Sequence, residues 1–310
     1  MLAEKSMKLA YGKGEKSVKH KKSIGEITFD IFNHIFMVFL IVVTIYPVWY
    51  VLVASLSSGS MLMSHRGALF LPMNFNTNAY IHVFKNPMVT RGYLNTGFIV
   101  VVGTFLNVLM TSIAGYFLSR RDVFWKKYIM IMIVITMFFG GGLIPFYLVV
   151  KNMGLLNSLW SLIIPGIVST YNIIVMRTSF MSIPVELEES AVIDGASHIT
   201  ILFKIIIPVS LPVIAVMVLW YGVGHWNSWF AASIFIIDRK LFPLQLILRE
   251  ILIQNETDSM TRDYGFEERG NAAEAIKYAL IVVATVPILC IYPFLQKYFV
   301  KGVMIGAIKG

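Results

Sequence analysis

Long apolar runs separated by shorter polar segments dominate the chain. The hydrocarbon core of a bilayer is about 30 Å thick and takes roughly 20 apolar residues of helix to cross. Six stretches reach that length, at approximately 29–56, 94–118, 128–150, 159–180, 205–236 and 275–296. Each is predicted to be helical, because lipid offers no partner to an unpaired backbone amide. The pattern therefore predicts an all-α, polytopic membrane protein with six transmembrane helices. The fifth stretch is too long for one perpendicular crossing, since about 32 residues of helix span roughly 48 Å. Pro208 and Pro212 predict a kink or break near its start. Residues before about 212 then read as an interfacial segment feeding the membrane helix.

Two polar connections are longer than simple turns. One covers about 57–93 and contains Arg66-Gly67-Ala68-Leu69-Phe70-Leu71-Pro72. The other covers about 237–274 and is mixed in charge, with Asn255-Glu256-Thr257-Asp258 and Glu267-Glu268-Arg269. Long connections of this kind are more often functional than idle. They offer an extracellular partner a place to dock, or else are solvated loops.

Composition agrees with the hydropathy pattern. The 310 residues are 57% hydrophobic and 14% charged, whereas soluble domains carry roughly 25% charged residues. The net charge of +9 raises the possibility of nucleic acid, but its placement argues otherwise. Seven lysines (Lys5, Lys8, Lys13, Lys16, Lys19, Lys21 and Lys22) crowd the segment ahead of the first apolar run. That suits a cytoplasmic tail drawn to anionic lipid. The distribution of Lys and Arg favours both termini in the cytoplasm, and Arg120, Arg121, Lys126 and Lys127 mark the inner end of the second crossing. The first apolar run is too long for the core of a cleavable signal peptide and reads as an uncleaved anchor. The single cysteine, Cys290, has no internal disulfide partner and leaves the redox compartment undetermined.

The most informative polar segment lies between the fourth and fifth crossings. It runs Pro184-Val185-Glu186-Leu187-Glu188-Glu189-Ser190-Ala191-Val192-Ile193-Asp194-Gly195-Ala196-Ser197-His198 and continues through Ile205 to Pro208. The pattern predicts a short helix, a glycine break and a second helix. Pro184 suits the first turn, where its missing N–H costs nothing. Glu186, Glu188 and Glu189 favour the positive end of the helix dipole. Gly195 permits the turn that ends the first helix, and Ser197 can cap the second. The small residues Ser190, Ala191 and Ala196 leave room for another protein to approach. A compact, acidic-tipped hairpin suits mechanical contact with a soluble partner.

Glu189-Ser190-Ala191-x-x-Asp194-Gly195-Ala196, followed by Ile205 and Ile207-Pro208, resembles the EAA loop of permease subunits from binding-protein-dependent carbohydrate ABC importers. The Asp-Gly-Ala core is typical of the sugar-importing branch. The C-terminal Gly302-Val303-Met304-Ile305-Gly306-Ala307-Ile308-Lys309-Gly310 looks like the tail of maltose-permease G-type subunits. Gly140-Gly141-Gly142 and Tyr221-Gly222-Val223-Gly224-His225-Trp226-Asn227 look like sugar permeases of the LplC/YtcP type. Ser190 departs from the usual middle alanine, and Leu202 stands where phenylalanine is usual, with Phe203 next to it.

The resemblance implies a type I ABC importer permease fold. It divides the chain into a basic cytoplasmic tail (1–28), a first membrane helix with an extracellular segment (29–93), the ABC transmembrane type-1 domain (94–293) and a cytoplasmic C-terminal tail (294–310). Within the type-1 domain, segment 181–208 would be the ATPase-coupling loop. The resemblance also implies a second homologous permease, two ATP-binding-cassette ATPases and an extracellular solute-binding protein as partners. ATP and Mg would reside on the ATPase, Glu189 would pair with a basic residue there, and this chain would hold no cofactor and catalyse nothing. The sequence itself contains no G-x-x-x-x-G-K-[ST] loop; Gly12-Lys13-Gly14-Glu15-Lys16-Ser17 has the wrong spacing.

Polar groups at membrane depth are costly and usually face a bundle interior or a water-filled path. Asn107, Thr111, Asn172, Arg177, His225 and Asn227 are such groups. Arg177 reads as snorkelling to the inner interface, while Asn107 and Thr111 suit either a neighbouring helix or a solute. Trp220, Tyr221, His225, Trp226, Asn227 and Trp229 form a candidate translocation path, since aromatic faces pack on the C–H faces of sugar rings. An interfacial aromatic belt is the alternative. The six histidines are dispersed without metal-ligand spacing, and there is no G-x-S-x-G motif. An ion-coupled secondary transporter would need mid-membrane carboxylates, and the predicted crossings hold only Asp30, near an end. A membrane-embedded enzyme would need paired catalytic groups at one depth. An ABC permease for an amino acid or a metal remains open, opposed only by the Asp-Gly-Ala resemblance.

Overall fold

The structure is a computed structural model, and it describes residues 23–253 and 266–307. The basic tail through Lys22, the Gly12–Ser17 stretch, Asn255–Asp258 and the last three residues lie outside the described residues. The chain divides into two compact units, residues 1–50 and 51–310.

Helix α1 (Ile24–Ser55) supplies the described part of the first unit and runs into the second. It begins before its apolar run because Glu26 Oε2 accepts the Ser23 amide at 2.9 Å, the reciprocal half of a capping box. In the second unit, the segment after α1 is not simply loop: it folds into α2 (Gly59–Ser64) and α3 (Asn78–Lys85). Helix α4 (Pro87–Ser119) also starts ahead of its hydropathy signal. Asn86 caps it by accepting the Met88 amide at 2.8 Å, and Pro87 occupies the first turn, where no N–H is needed.

Glycines set two close approaches along α4. A Cβ at Gly103, in a widened π-turn (Ile99–Gly103), would lie 2.6 Å from His225 Nε2. A Cβ at Gly115 would lie 2.8 Å from Met176 Cγ, so glycine there lets α4 meet α7 (Thr170–Met181) closely. Small residues serve helix contact in lipid, where packing rather than water exclusion drives association.

The next three apolar stretches are bent rather than straight. The third is α5 (Lys126–Phe138) and α6 (Leu143–Asn152), turned 118° from each other. Gly140-Gly141-Gly142 causes the break, with Gly142 at φ 82°, a region that disfavours side chains. The fourth combines two short 3-10 turns, within Leu159–Gly166, with α7 at 51°. The fifth bends 88° between α9 (His198–Val209) and α10 (Leu211–Trp226). That break falls between Pro208 and Pro212, and helix α10 stops at Trp226 instead of continuing to 236. A short α11 (Phe230–Phe235), a 3-10 turn (Arg239–Leu241) and α12 (Leu244–Ile253) follow. Helix α13 (Phe266–Ala307) closes the chain. Among the described residues three helices are long and apolar enough to cross a membrane, and counting each bent pair as one span gives six.

Among the described residues of the second unit, two apolar cores form. The larger joins Val83, Val89, Ile99, Ile163, Phe235, Leu244, Ile276 and Leu280. Asn95 fastens α4 to the α12 side by donating to the carbonyls of Lys240 and Phe242, at 2.9 and 3.1 Å. The smaller core joins Tyr116, Met176, Phe180, Ala191, Ile201, Leu202, Ile206, Met217 and Tyr221. It roots segment 181–208 in α4, α7 and α10.

Candidate functional site

Segment 181–208 is a helical hairpin. Its first arm, α8 (Val185–Ile193), begins just after Pro184, which takes the cap position itself. The arm ends in a Schellman turn: Ala196 N–H donates to Ala191 carbonyl and Gly195 N–H to Val192 carbonyl, both at 2.9 Å. Gly195 sits at φ 78°, which only glycine adopts without strain. Ser197 Oγ then caps α9 by accepting the Thr200 amide at 3.3 Å.

One side of the hairpin is fixed to the membrane helices. Glu188 forms an ion pair with Arg120, and Tyr116 O–H donates to Glu188 Oε1 at 3.0 Å. The Arg120 guanidinium lies 4.6 Å over the Tyr116 ring and donates to Ser119 Oγ. Tyr116 Oη also lies 3.4 Å from His198 Nδ1 on the second arm. Burial pulls the Arg120 pKa below the ordinary guanidinium range, opposed by Tyr116 and Asp122. A guanidinium keeps its charge throughout the physiological range, so the pair stays ionic.

The other side faces outward. Ile193 is 85% exposed and Ile199 72% exposed, with Leu187, Val192 and Phe203 also exposed. Glu186, Glu189, Ser190 and Asp194 surround them and are exposed as well. Ala191 is buried, Ala196 and Ile205 are half-buried, and Pro208 is exposed. The two neighbouring acids thus differ: Glu188 is held internally while Glu189 is presented.

The aromatic group on α10 is split by the fold. Tyr221 is buried, its Oη 2.7 Å from Thr111 Oγ1 and accepting the Ser169 amide at 3.2 Å. Asn107 donates from Nδ2 to Gly166 carbonyl at 2.8 Å, leaving its oxygen to His225 Nε2 at 2.6 Å. That arrangement puts the His225 proton on Nε2. Trp226 is buried and donates from Nε1 to Ala284 carbonyl at 3.1 Å. By contrast, Trp220 is exposed beside Tyr171, with ring centroids 5.5 Å apart. Asn227 is exposed and bonded to Val223 carbonyl. Trp229 is exposed, with Arg249 over its ring at 4.3 Å. Arg177 Nε donates to Leu118 carbonyl at 3.0 Å.

Residues 107–305 match the family of binding-protein-dependent transport system inner membrane components. The chain belongs to that family. The permease is 38% identical over 286 residues to the polygalacturonan/rhamnogalacturonan transport system permease protein YtcP of Bacillus subtilis, covering 91% of this chain and 98% of the relative. It is also 38% identical over 291 residues to protein LplC of the same organism, covering 94% and 98% of the two chains. A crystal structure of a bacterial ABC transporter that imports the acidic polysaccharide alginate contains a chain matching with TM-score 0.82 at 29% identity, over 90% of this chain and 99% of that one. The protein is therefore an ABC importer permease with the fold of that transporter's membrane subunit. Subunits of this family are transport components and not catalysts. Among the described residues no cluster of three or more His, Cys, Asp or Glu could hold a metal.

The permease's inner fastening of Tyr116, Arg120 and Glu188 was not legible beforehand. Arg120 reads from sequence only as a membrane-edge cation, and no local spacing links it to Glu188. The presence of two consecutive glutamates was the single available hint that one might serve the fold and the other a partner.

Proposed function

We propose that this permease subunit carries a sugar or oligosaccharide inward by alternating access, driven by two separate ATP-binding-cassette ATPases that engage hairpin 181–208. The carrying observation is the hairpin tip, where exposed Ile193 and Ile199 stand among exposed carboxylates. Exposed apolar side chains among carboxylates suit a protein contact, and the acidic rim suits a socket with a basic edge. In this reading Glu189 pairs with that edge. Ser190, Ala191 and Ala196 keep the arm slim, Asp194 and Gly195 form its turn, and Ile205 and Pro208 set its entry angle. ATP and Mg sit on the ATPases and none in this chain.

A second, distinct permease completes the pathway, and an extracellular solute-binding protein delivers cargo. Both termini lie in the cytoplasm, and nucleic acid has no part. Trp220, Asn227 and Trp229 line the path, while Tyr221, His225 and Trp226 support it through the bonds described above. Carbohydrate cargo is supported by the names of the relatives, which specify polygalacturonan/rhamnogalacturonan and alginate.

Membrane vesicles containing the assembled transporter and its binding protein test this reading. ATP is expected to drive uptake of a labelled oligosaccharide, and a protonophore to leave it unchanged. Uptake that ignores ATP and collapses with the protonophore would establish an ion-coupled carrier instead.

A further inference from the structure

We infer that Arg249, held by Trp229, forms a subsite for the carboxylate of an acidic sugar residue; this rests on the carbohydrate-import reading above. Hairpin 181–208 precedes α10 and Trp229 follows it, so the two lie at opposite ends of the fifth span. The Arg249–Trp229 pair thus stands on the face from which cargo enters.

Arg249 projects from α12, and its guanidinium carbon lies 4.3 Å from the centroid of the Trp229 ring. Trp229 is itself 36% exposed and Arg249 half-buried, so neither is sealed in a core. Stretch 229–253 contains two acids, and both are committed elsewhere. Asp238 accepts the Lys240 amide at 2.9 Å, and Glu250 pairs with Arg239 at 2.8 Å. Among the described residues no carboxylate pairs with Arg249.

A guanidinium held over an indole face by its charge still has its planar fork of N–H donors to offer. That fork matches the two oxygens of a carboxylate, and the charged, bidentate contact is among the stronger polar interactions. Beside it, Phe230 is 54% exposed and meets the Trp229 ring edge-on at 5.6 Å. Together these rings offer an apolar surface for the C–H face of a pyranose. Cation and aromatic surface in one place distinguish a uronate from a simple anion, which has no use for the second, and from a neutral sugar, which has no use for the first.

The test uses the complete transporter in vesicles, energised with ATP, with trigalacturonate and its methyl ester as probes. Esterification removes the negative charge and adds only a methyl group at each carboxyl. Wild type is expected to take up trigalacturonate in preference to the ester, and Arg249→Gln to lower that preference about tenfold. Arg249→Lys retains the charge without the planar fork, so an intermediate preference is expected and also shows that the folded transporter has been measured. Equal preference in wild type and Arg249→Gln would overturn the subsite, and is the result expected if the guanidinium served lipid headgroups. ATP-driven uptake of neutral oligosaccharides without trigalacturonate would overturn it too, while leaving carbohydrate import intact. Failure to take up any oligosaccharide with ATP would remove both readings together.

Discussion

Ile193→Asp is expected to cut ATP-driven uptake about a hundredfold while leaving the subunit folded. Ile193 is 85% exposed, so within this chain little packing is lost. A surface change of that kind typically alters stability by less than about 0.5 kcal/mol. In a docked hairpin the same side chain enters an apolar socket, and a carboxylate there would be desolvated without a partner. Removal of a central contact residue commonly costs about 2 kcal/mol or more, and the buried charge adds to this. Thermal unfolding of the isolated permease and ATP hydrolysis by the assembled transporter separate the two effects. Near-normal uptake by Ile193→Asp would mean that the exposed tip is not the contact.

The second large effect is expected at the root of the hairpin. Arg120→Glu and Glu188→Arg should each uncouple the transporter, so that ATP is still hydrolysed but uptake falls roughly tenfold or more. The pair's side chains are only 14% and 13% exposed, and Tyr116 bonds to the same carboxylate. Breaking such a pair from one side leaves an uncompensated charge and costs roughly 3 kcal/mol. That is enough to free α8 from the end of α4 while its outer face can still bind a partner. The double exchange Arg120→Glu/Glu188→Arg restores opposite charges and should recover a substantial part of the uptake. If both single variants transport normally, force reaches the membrane helices through the apolar core of Met176, Phe180 and Ile201 alone.

Hydropathy revealed what the bilayer dictates and little of what the bundle interior decides. The apolar stretches near 94–118 and 275–296 coincide with parts of α4 and α13, because length and apolar composition suffice for a continuous span. The break expected around Pro208 and Pro212 is present, as are the turn at Gly195 and the cap at Ser197, since each depends on local backbone chemistry. The early start of α4 at Asn86-Pro87 was equally local, although it lay outside the apolar run that defined the stretch.

Other features depend on groups far apart in sequence. Nothing near His225 announces that Asn107 will accept a hydrogen bond from its ring N–H, or that Gly103 leaves space for that ring. Trp226 and Trp229 look alike in an aromatic run, yet one is buried against Ala284 and the other carries Arg249. Only the rotation of α10 and the break at residues 227–229 separate them. The 118° turn after Phe138 likewise follows from three glycines that hydropathy averages away.

The most direct measurement is affinity purification of the intact permease in mild detergent, as wild type and as Glu189→Arg, followed by identification of the proteins that accompany each. Glu189 is exposed and, among the described residues, makes no fastening of the kind seen at Glu188, so the variant should retain the hairpin while reversing its charge toward a basic socket. A P-loop ATPase and a second six-span permease are expected with the wild type, and loss of the ATPase alone with Glu189→Arg. A wild-type subunit that emerges by itself, or an ATPase that stays equally bound to the variant, would contradict coupling through this hairpin.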